Sequence, residues 1–506
     1  MTNHVVAYSR ENGGRVIILF LLFFLAMYQF IAAGFPAFAI ICMLPLVVLM
    51  GYWTFRWGML SFWLLIIENY FIQFHNLPPL PIPTSLPNEM LQLLILGIAI
   101  IDTRQTPHFE RSVNLMFLAL IIWCTYCTLE VLNDTCGLGI NVGSWYSGAR
   151  MIAFQLIYIF LVFSICITSP EILMRYLKVW AILALFSAFW TWKQQRLGLT
   201  SAENGFLFGR GSTTHLIQGG TLIRYWSTFG DAANYGCNAA AAAVAFIVFG
   251  ITSKLKKDKL FFLIIGIIVI KSMFASGTRT AVFCIFAGFA VYIVLSKSIK
   301  IAVPASILGG LFLFILAFTN IGQGNQQIRR MRSAFDKDDA SGNVRAINQA
   351  TMRKYMKDAP WGIGLGMGND NVPSNNKFRK MATIAPDSEY VFIWLRTGKI
   401  GITVFIITML IMLGGACYIV MFKLKNPSLI GIGGGLCSAF VAIQLGGYAN
   451  QVLMQYPNCL IFYGGLTIVY ILPYLEPAWV EMEEKRFAEQ EERKRLKLEK
   501  KLASRV

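Results

Sequence analysis

Runs of about twenty apolar residues recur from one end of this chain to the other, and that pattern restricts the fold more than any motif does. A helix needs roughly 20 such residues to cross a bilayer. The expected fold is all-α, a polytopic transmembrane helical bundle of about 12–14 spans with a large, partly helical outer loop and a C-terminal helix. The spans fall at 15–33, 36–54, 57–74, 86–101, 113–131, 150–167, 175–193, 231–252, 259–275, 278–296, 302–319, 399–422, 427–447 and 458–474. Composition agrees: 56% of the 506 residues are hydrophobic and 14% charged, against about 25% charged in soluble domains. The first run is longer than a signal-peptide core and leads directly into further spans, so it is expected to be retained.

Basic residues orient the bundle through the positive-inside rule. One set of short loops carries Arg10, Arg56, Arg104, Arg175, Lys178, Lys254, Lys297 and Lys423, whereas the alternate loops 75–85, 132–149 and 447–458 carry no Lys or Arg. Both termini are therefore expected in the cytoplasm, with the long loops 194–230 and 320–398 outside. Residues 1–475 form the membrane domain in this reading. Residues 476–506, rich in Glu, Lys and Arg, form a cytosolic tail whose Glu481–Lys485, Glu489–Arg493 and Glu491–Arg495 spacings support an exposed helix.

Several chemistries find no support. The net charge of +18 is accounted for by cytoplasmic anchoring and basic outer loops, and no nucleic-acid motif accompanies it. Cys124 and Cys127 form a CxxC, but inside an apolar helix with no further ligand beside it, so packing is expected rather than metal binding. The four histidines are scattered, and Asp338-Asp339 beside Lys337 is a poor metal site. No cofactor and no metal are expected.

The outer loop 320–398 is structured in this reading. Residues 343–358 predict a helix that places Arg345, Gln349 and Arg353 on one face and stops before Pro360. The glycines of Trp361-Gly-Ile-Gly-Leu-Gly-Met-Gly permit tight turns, but no strand precedes them and no Gly-Lys-Ser/Thr follows, so a phosphate loop is disfavoured. From Arg329 to Lys399 there are thirteen Lys or Arg against seven Asp or Glu. That surplus suits an anionic partner at the outer surface, either lipid headgroup or substrate phosphate.

The residues with chemical potential lie at outer span ends. Arg224 and Arg279 carry charges that cannot be neutralised there and need partners. Arg224 has snorkelling to lipid phosphates as its rival explanation. Arg279 sits in the tight hairpin Ser-Gly-Thr-Arg, which leaves less room for that rival. Asp387 and Glu389 stand where the outer loop re-enters the membrane. Each is a candidate base, and each also fits a helix start, where carboxylates cap and favour the dipole.

Four segments in series carry a family resemblance. Arg-Tyr-Trp-Ser-Thr-Phe-Gly-Asp-Ala-Ala-Asn-Tyr-Gly (224–236), Ser-Gly-Thr-Arg-Thr-Ala (276–281), Gly342-Asn-Val-Arg345 running to Asp358-Ala-Pro-Trp-Gly-Ile-Gly-Leu-Gly, and Asp387-Ser-Glu-Tyr with Leu395-Arg-Thr-Gly-Lys-Ile-Gly resemble the O-antigen ligase and polymerase superfamily. The resemblance covers residues 220–402. It implies a metal-independent glycosyltransferase of the bacterial cell inner membrane, acting at the periplasmic face on a glycan carried by undecaprenyl diphosphate. Arg224, Arg279 and Arg345 would bind the diphosphate, and Asp387 or Glu389 would activate the acceptor hydroxyl with inversion at the sugar. The implied partners are the lipid-linked oligosaccharide, a glycan or lipid A–core acceptor, membrane lipids and a chain-length regulator protein. Resembling ligases usually have His where this chain has Asp387, which favours a polymerase of surface polysaccharide repeats over a ligase. The rival from another class is a lipid-linked oligosaccharide flippase, disfavoured because no internal repeat is visible.

Overall fold

The computed structural model describes residues 13–33, 44–46, 48–53, 56, 59–77, 85–101, 108–209, 215–217, 222–322, 324–333 and 340–503. Two compact units emerge, residues 1–65 with 77–105, and residues 66–76 with 106–506. The smaller unit contains the apolar helices Gly13–Ala33 and Ser85–Ile101. The predicted span 36–54 lies largely outside the described residues.

The architecture is all-α, as expected from the apolar runs. Among the described residues, nine helices are long and apolar enough to cross a membrane, all in the larger unit. Two further apolar helices, Gly13–Ala33 and Ile299–Phe318, cover the predicted runs 15–33 and 302–319. The runs at 57–74 and 86–101 form shorter helices, Leu60–Phe71 and Ser85–Ile101.

The core of the larger unit is made by the Ala232–Thr252, Lys256–Met273, Arg279–Ser296 and Pro427–Ala449 helices. Their sequences explain their closeness. Ala239 to Ala243 and Gly433 to Gly435 are buried, and small side chains let helix backbones approach where lipid supplies no hydrophobic drive. The starts are set by side-chain caps. Asp231 accepts from the Ala233 and Asn234 amides, and Asn426 accepts from those of Ser428 and Leu429, with Pro427 in the first turn.

Three boundaries depart from the hydropathy reading. The helix assigned to 150–167 already begins at Val142 and passes through a π turn at Arg150–Phe154. The span assigned to 399–422 begins at Glu389, ten residues earlier, and is interrupted at Gly398 (φ 67°, ψ −166°). The last helix does not stop at 474. It runs unbroken from Gly464 to Ala503 through Pro473 and Pro477. After residue 476 the helix keeps Glu481, Lys485, Glu489, Glu491 and Arg495 exposed, as the spacing predicted, and docks its other face. Trp479, Met482 and Glu483 are buried, Lys254 Nζ lies 2.8 Å from Glu483, and Asp258 pairs with Lys178 at 2.7 Å and Arg486 at 3.6 Å.

The long loop 320–398 builds its own small core. Met352, Met356, Ile363, Val372, Phe378, Met381 and Leu395 pack together with Cys136. The predicted helix at 343–358 is observed as Ala340–Tyr355 followed by a 3-10 turn, Met356–Asp358. The glycine-rich stretch after it serves chain packing. The amides of Ile363 and Gly364 donate to the Leu395 and Arg396 carbonyls, and that of Lys399 to Pro360, at 3.0 Å each. A Cβ on Gly398 would stand 1.9 Å from the Pro360 oxygen, so the helix break and the loop meet backbone to backbone.

Candidate functional site

Arg224 is positioned from both sides of its side chain. Its amide donates to the His215 carbonyl at 2.8 Å, and the next amide, Tyr225, donates to Ala275 at 3.1 Å. Its guanidinium donates from Nε to the Ser276 carbonyl and from Nη2 to Thr278 Oγ1, each at 3.2 Å. Gly277 makes this possible with a left-handed turn (φ 58°), and a Cβ there would stand 3.2 Å from Arg224 Cγ. The hairpin Ser-Gly-Thr-Arg thus holds one arginine with its Ser and Thr and presents a second, Arg279, at the first turn of the Arg279–Ser296 helix. Arg279 Nη1 donates to the Ser333 carbonyl at 3.1 Å and to Ser333 Oγ at 3.3 Å, which ties it to the loop 320–398.

Burial lowers the Arg224 pKa, Asp231 and Cys237 oppose that shift, and the charges of Arg279 and Arg345 add to it. A guanidinium stays protonated under such pressure. Arg345 belongs to the Ala340–Tyr355 helix, one turn before Asn348, whose amide donates to the Ala385 carbonyl at 3.5 Å. That bond ties the helix to the segment that leads to Asp387.

The two carboxylates stand in different surroundings. The helix N-cap is Ser388, with extended backbone and no side-chain capping bond, so Asp387 lies outside the helix and does not cap it. Asp387 adopts a left-handed φ of 54° and is partly exposed. It makes no hydrogen bond or ion pair among the described residues. Glu389 is buried, and its Oε2 accepts from the Leu453 amide at 3.1 Å. Its first visible function is to pin the helix start to the segment 450–458.

That segment is a feature the sequence reading missed. Asn458 is fully buried. Its Nδ2 donates to Asn234 Oδ1 at 2.6 Å and to the Val452 carbonyl at 2.8 Å. Asn238 donates to Asn458 Oδ1 at 2.7 Å, and Asn234 to the Tyr456 carbonyl at 2.9 Å. Asn450 reaches Thr280 Oγ1 at 3.5 Å. The segment 450–458 thus touches the starts of three helices, Ala232–Thr252, Arg279–Ser296 and Glu389–Tyr418. Asparagines at 234 and 238, one helical turn apart in an apolar stretch, were the available signal, because buried amides need partners.

The site and the docked tail lie at opposite ends of the bundle. The Ala232–Thr252 helix begins beside Arg224 and Thr278 and ends before Lys254, which meets Glu483. Among the described residues no three His, Cys, Asp or Glu side chains gather as metal ligands, and Cys124 and Cys127 are buried in helix packing.

Residues 264–406 match the family model described as O-antigen ligase. The matched region contains Arg279, Arg345, Asp387 and Glu389; Arg224 precedes it. No curated protein matches the chain.

Proposed function

We propose, from its place in the O-antigen ligase/polymerase superfamily, that this multi-pass membrane protein transfers a glycan from a lipid diphosphate to an acceptor hydroxyl at the periplasmic face. The observation that carries the reading is the hairpin 276–279, whose Ser276 carbonyl and Thr278 hydroxyl hold the Arg224 guanidinium while Arg279 stands at the start of the next helix, within a chain whose Asp387 makes no ion pair among the described residues.

In this mechanism the three arginines hold the diphosphate. Asp387 accepts the proton of the acceptor hydroxyl. The hydroxyl oxygen attacks the anomeric carbon as the bond to the diphosphate oxygen breaks, and the diphosphate leaves with the electron pair. The arginines favour that leaving charge, an electrostatic contribution fixed before reaction. Direct displacement inverts the anomeric centre. Asp387 is preferred to Glu389 as base because one Glu389 oxygen already accepts the Leu453 amide in a buried position. Polymerisation of surface polysaccharide repeats is preferred to ligation onto lipid A–core, because the base position holds Asp387 where resembling ligases carry His.

The deciding assay supplies purified protein with lipid-linked repeats, with and without a lipid A–core acceptor. Longer glycans from repeats alone establish a polymerase; transfer only to lipid A–core establishes a ligase; neither product rejects the transferase. Transfer is expected to persist in EDTA, because the arginines supply the positive charge that a divalent ion would otherwise provide. Activity lost to chelator and restored by magnesium or manganese would reject that part of the mechanism.

A further inference from the structure

We propose that the groove between the Pro170–Arg196 and Lys256–Met273 helices binds the lipid anchor of the acceptor, an anionic, phosphate-bearing lipid. This rests on the transferase reading above. The groove encloses about 820 Å³, the size range of small-molecule sites. It lies beside the arginine site. Tyr225 and Gly277 line it, and they flank or touch Arg224.

Its walls and rim differ in the way a lipid requires. Phe189, Trp192 and Ile268 line it while remaining 52%, 49% and 39% exposed. They belong to helices long and apolar enough to span the membrane, so their exposed faces meet hydrocarbon. Arg196 ends its helix, Lys271 lies in the last turn of its own, and Arg330 comes from the outer-loop helix Gln326–Arg332. All three line the groove, and no Asp or Glu does among the described residues. A cationic rim over an apolar trough, with a tryptophan at the boundary, matches a lipid with a phosphate head.

The groove's cations are distinct from the arginines assigned to the donor. A transfer between two lipid-borne glycans brings two anionic lipids to one site, and a single diphosphate occupies Arg224, Arg279 and Arg345. The second set of cations then serves the second lipid. The groove itself makes and breaks no bond. It delivers the acceptor hydroxyl, whose proton passes to Asp387 as the glycosidic bond forms and the donor diphosphate departs.

The test is the triple substitution Arg196→Gln, Lys271→Gln, Arg330→Gln, with Trp192→Ala as a second variant, in full-length protein in lipid nanodiscs. Initial rates are measured against a lipid-linked acceptor and against the same acceptor glycan without its lipid. The KM for the lipid-linked acceptor is expected to rise about tenfold or more in the triple variant, since three cations that attract an anionic lipid are removed. The donor KM and the rate with lipid-free acceptor are expected to stay within about twofold, as uniform binding contacts predict. Native mass spectrometry reads retention of the lipid-linked acceptor independently of turnover, and that retention is expected to fall in both variants. Unchanged acceptor KM and retention would overturn the assignment. So would a rise in donor KM alone, which would give the groove to the donor, or displacement of the acceptor by equimolar phosphatidylglycerol, which would make it a site for bulk lipid. Lost retention in a protein that transfers nothing would instead reject the transferase reading and leave the groove as a lipid site.

Discussion

At the scale of single residues, the two carboxylates are separable by experiment because their surroundings differ. Asp387 sits at a left-handed φ of 54° outside the helix, a conformation that Asn tolerates as well as Asp. Asp387→Asn therefore preserves backbone and volume and removes only the charge. A loss of about 100-fold or more in kcat is expected if it is the base. Glu389→Gln keeps an oxygen for the Leu453 amide, so it should lose less than about tenfold, below the range for a general base. A full-rate Asp387→Asn enzyme beside an inactive Glu389→Gln enzyme would exchange the two roles. Arg279 is also tied to geometry, because Nη1 is committed to Ser333. Arg279→Lys should be nearly as damaging as Arg279→Ala, since a lysine point charge replaces neither the Ser333 contact nor a bidentate grip. Recovery of most glycan assembly by the lysine variant, at matched protein level, would reduce the role to positive charge.

At the scale of elements, the decisive feature is the interrupted helix from Glu389. Its first turns begin at Glu389, two residues after Asp387, and close at Gly398, where the Ile363 and Gly364 amides donate to the Leu395 and Arg396 carbonyls and the Pro360 carbonyl accepts from the Lys399 amide. Gly398→Ala would place a Cβ 1.9 Å from the Pro360 oxygen at a φ of 67°. The strain alone costs about 1–3 kcal/mol, and the clash adds to it. The variant should show a lower melting temperature in detergent together with reduced transfer, because the same contact orders the loop that bears Arg345. An unshifted melting curve would mean that the loop repacks freely. The buried amides of Asn234, Asn238 and Asn458 do comparable work at the segment 450–458, where each bond satisfies a group that would otherwise be stranded in an apolar bundle.

At the scale of the whole molecule, stability should respond to acid through a cluster drawn from distant parts of the chain. Glu203 accepts from Thr200, Trp190, Gln194 and Lys193. Burial raises its pKa, but those bonds outweigh burial and hold it down to about 2. The His75 ring packs tilted against Phe206, centroids 3.8 Å apart. Burial, aided by His215 and opposed by Glu203, lowers it from 6.5 to about 4. Both folded pKa values are depressed, so both contributions are present at neutral pH and are lost as pH falls. The His75 contribution fades between 6.5 and about 4, and that of Glu203 between 4.5 and about 2. The melting temperature should therefore decline below about pH 6.5, and His75→Phe should flatten the upper part of that decline. An identical pH profile for wild type and His75→Phe would exclude the histidine as its source.

The helical class, most of the larger unit's spans and the resemblance of the segments within 264–406 to the O-antigen ligase family model could be read from the chain, because hydrophobic length and short motifs are local properties. The surroundings of the candidate residues could not. Asp387 and Glu389 are two residues apart, and each fits a cap or a base in one dimension. Only the fold turns Glu389 onto the Leu453 amide and leaves Asp387 outside the helix. The early start at Glu389 escaped hydropathy because polar residues at a helix start look like loop. The docked turns after 476 escaped it because Glu483 and Asp258 find Lys254, Lys178 and Arg486 across the bundle. Ser276 and Thr278 around Arg224, and the asparagines around 458, belong to the same class. A polar group's partner in an apolar bundle is a matter of three-dimensional contact, since burial demands a partner without naming where in the chain it lies.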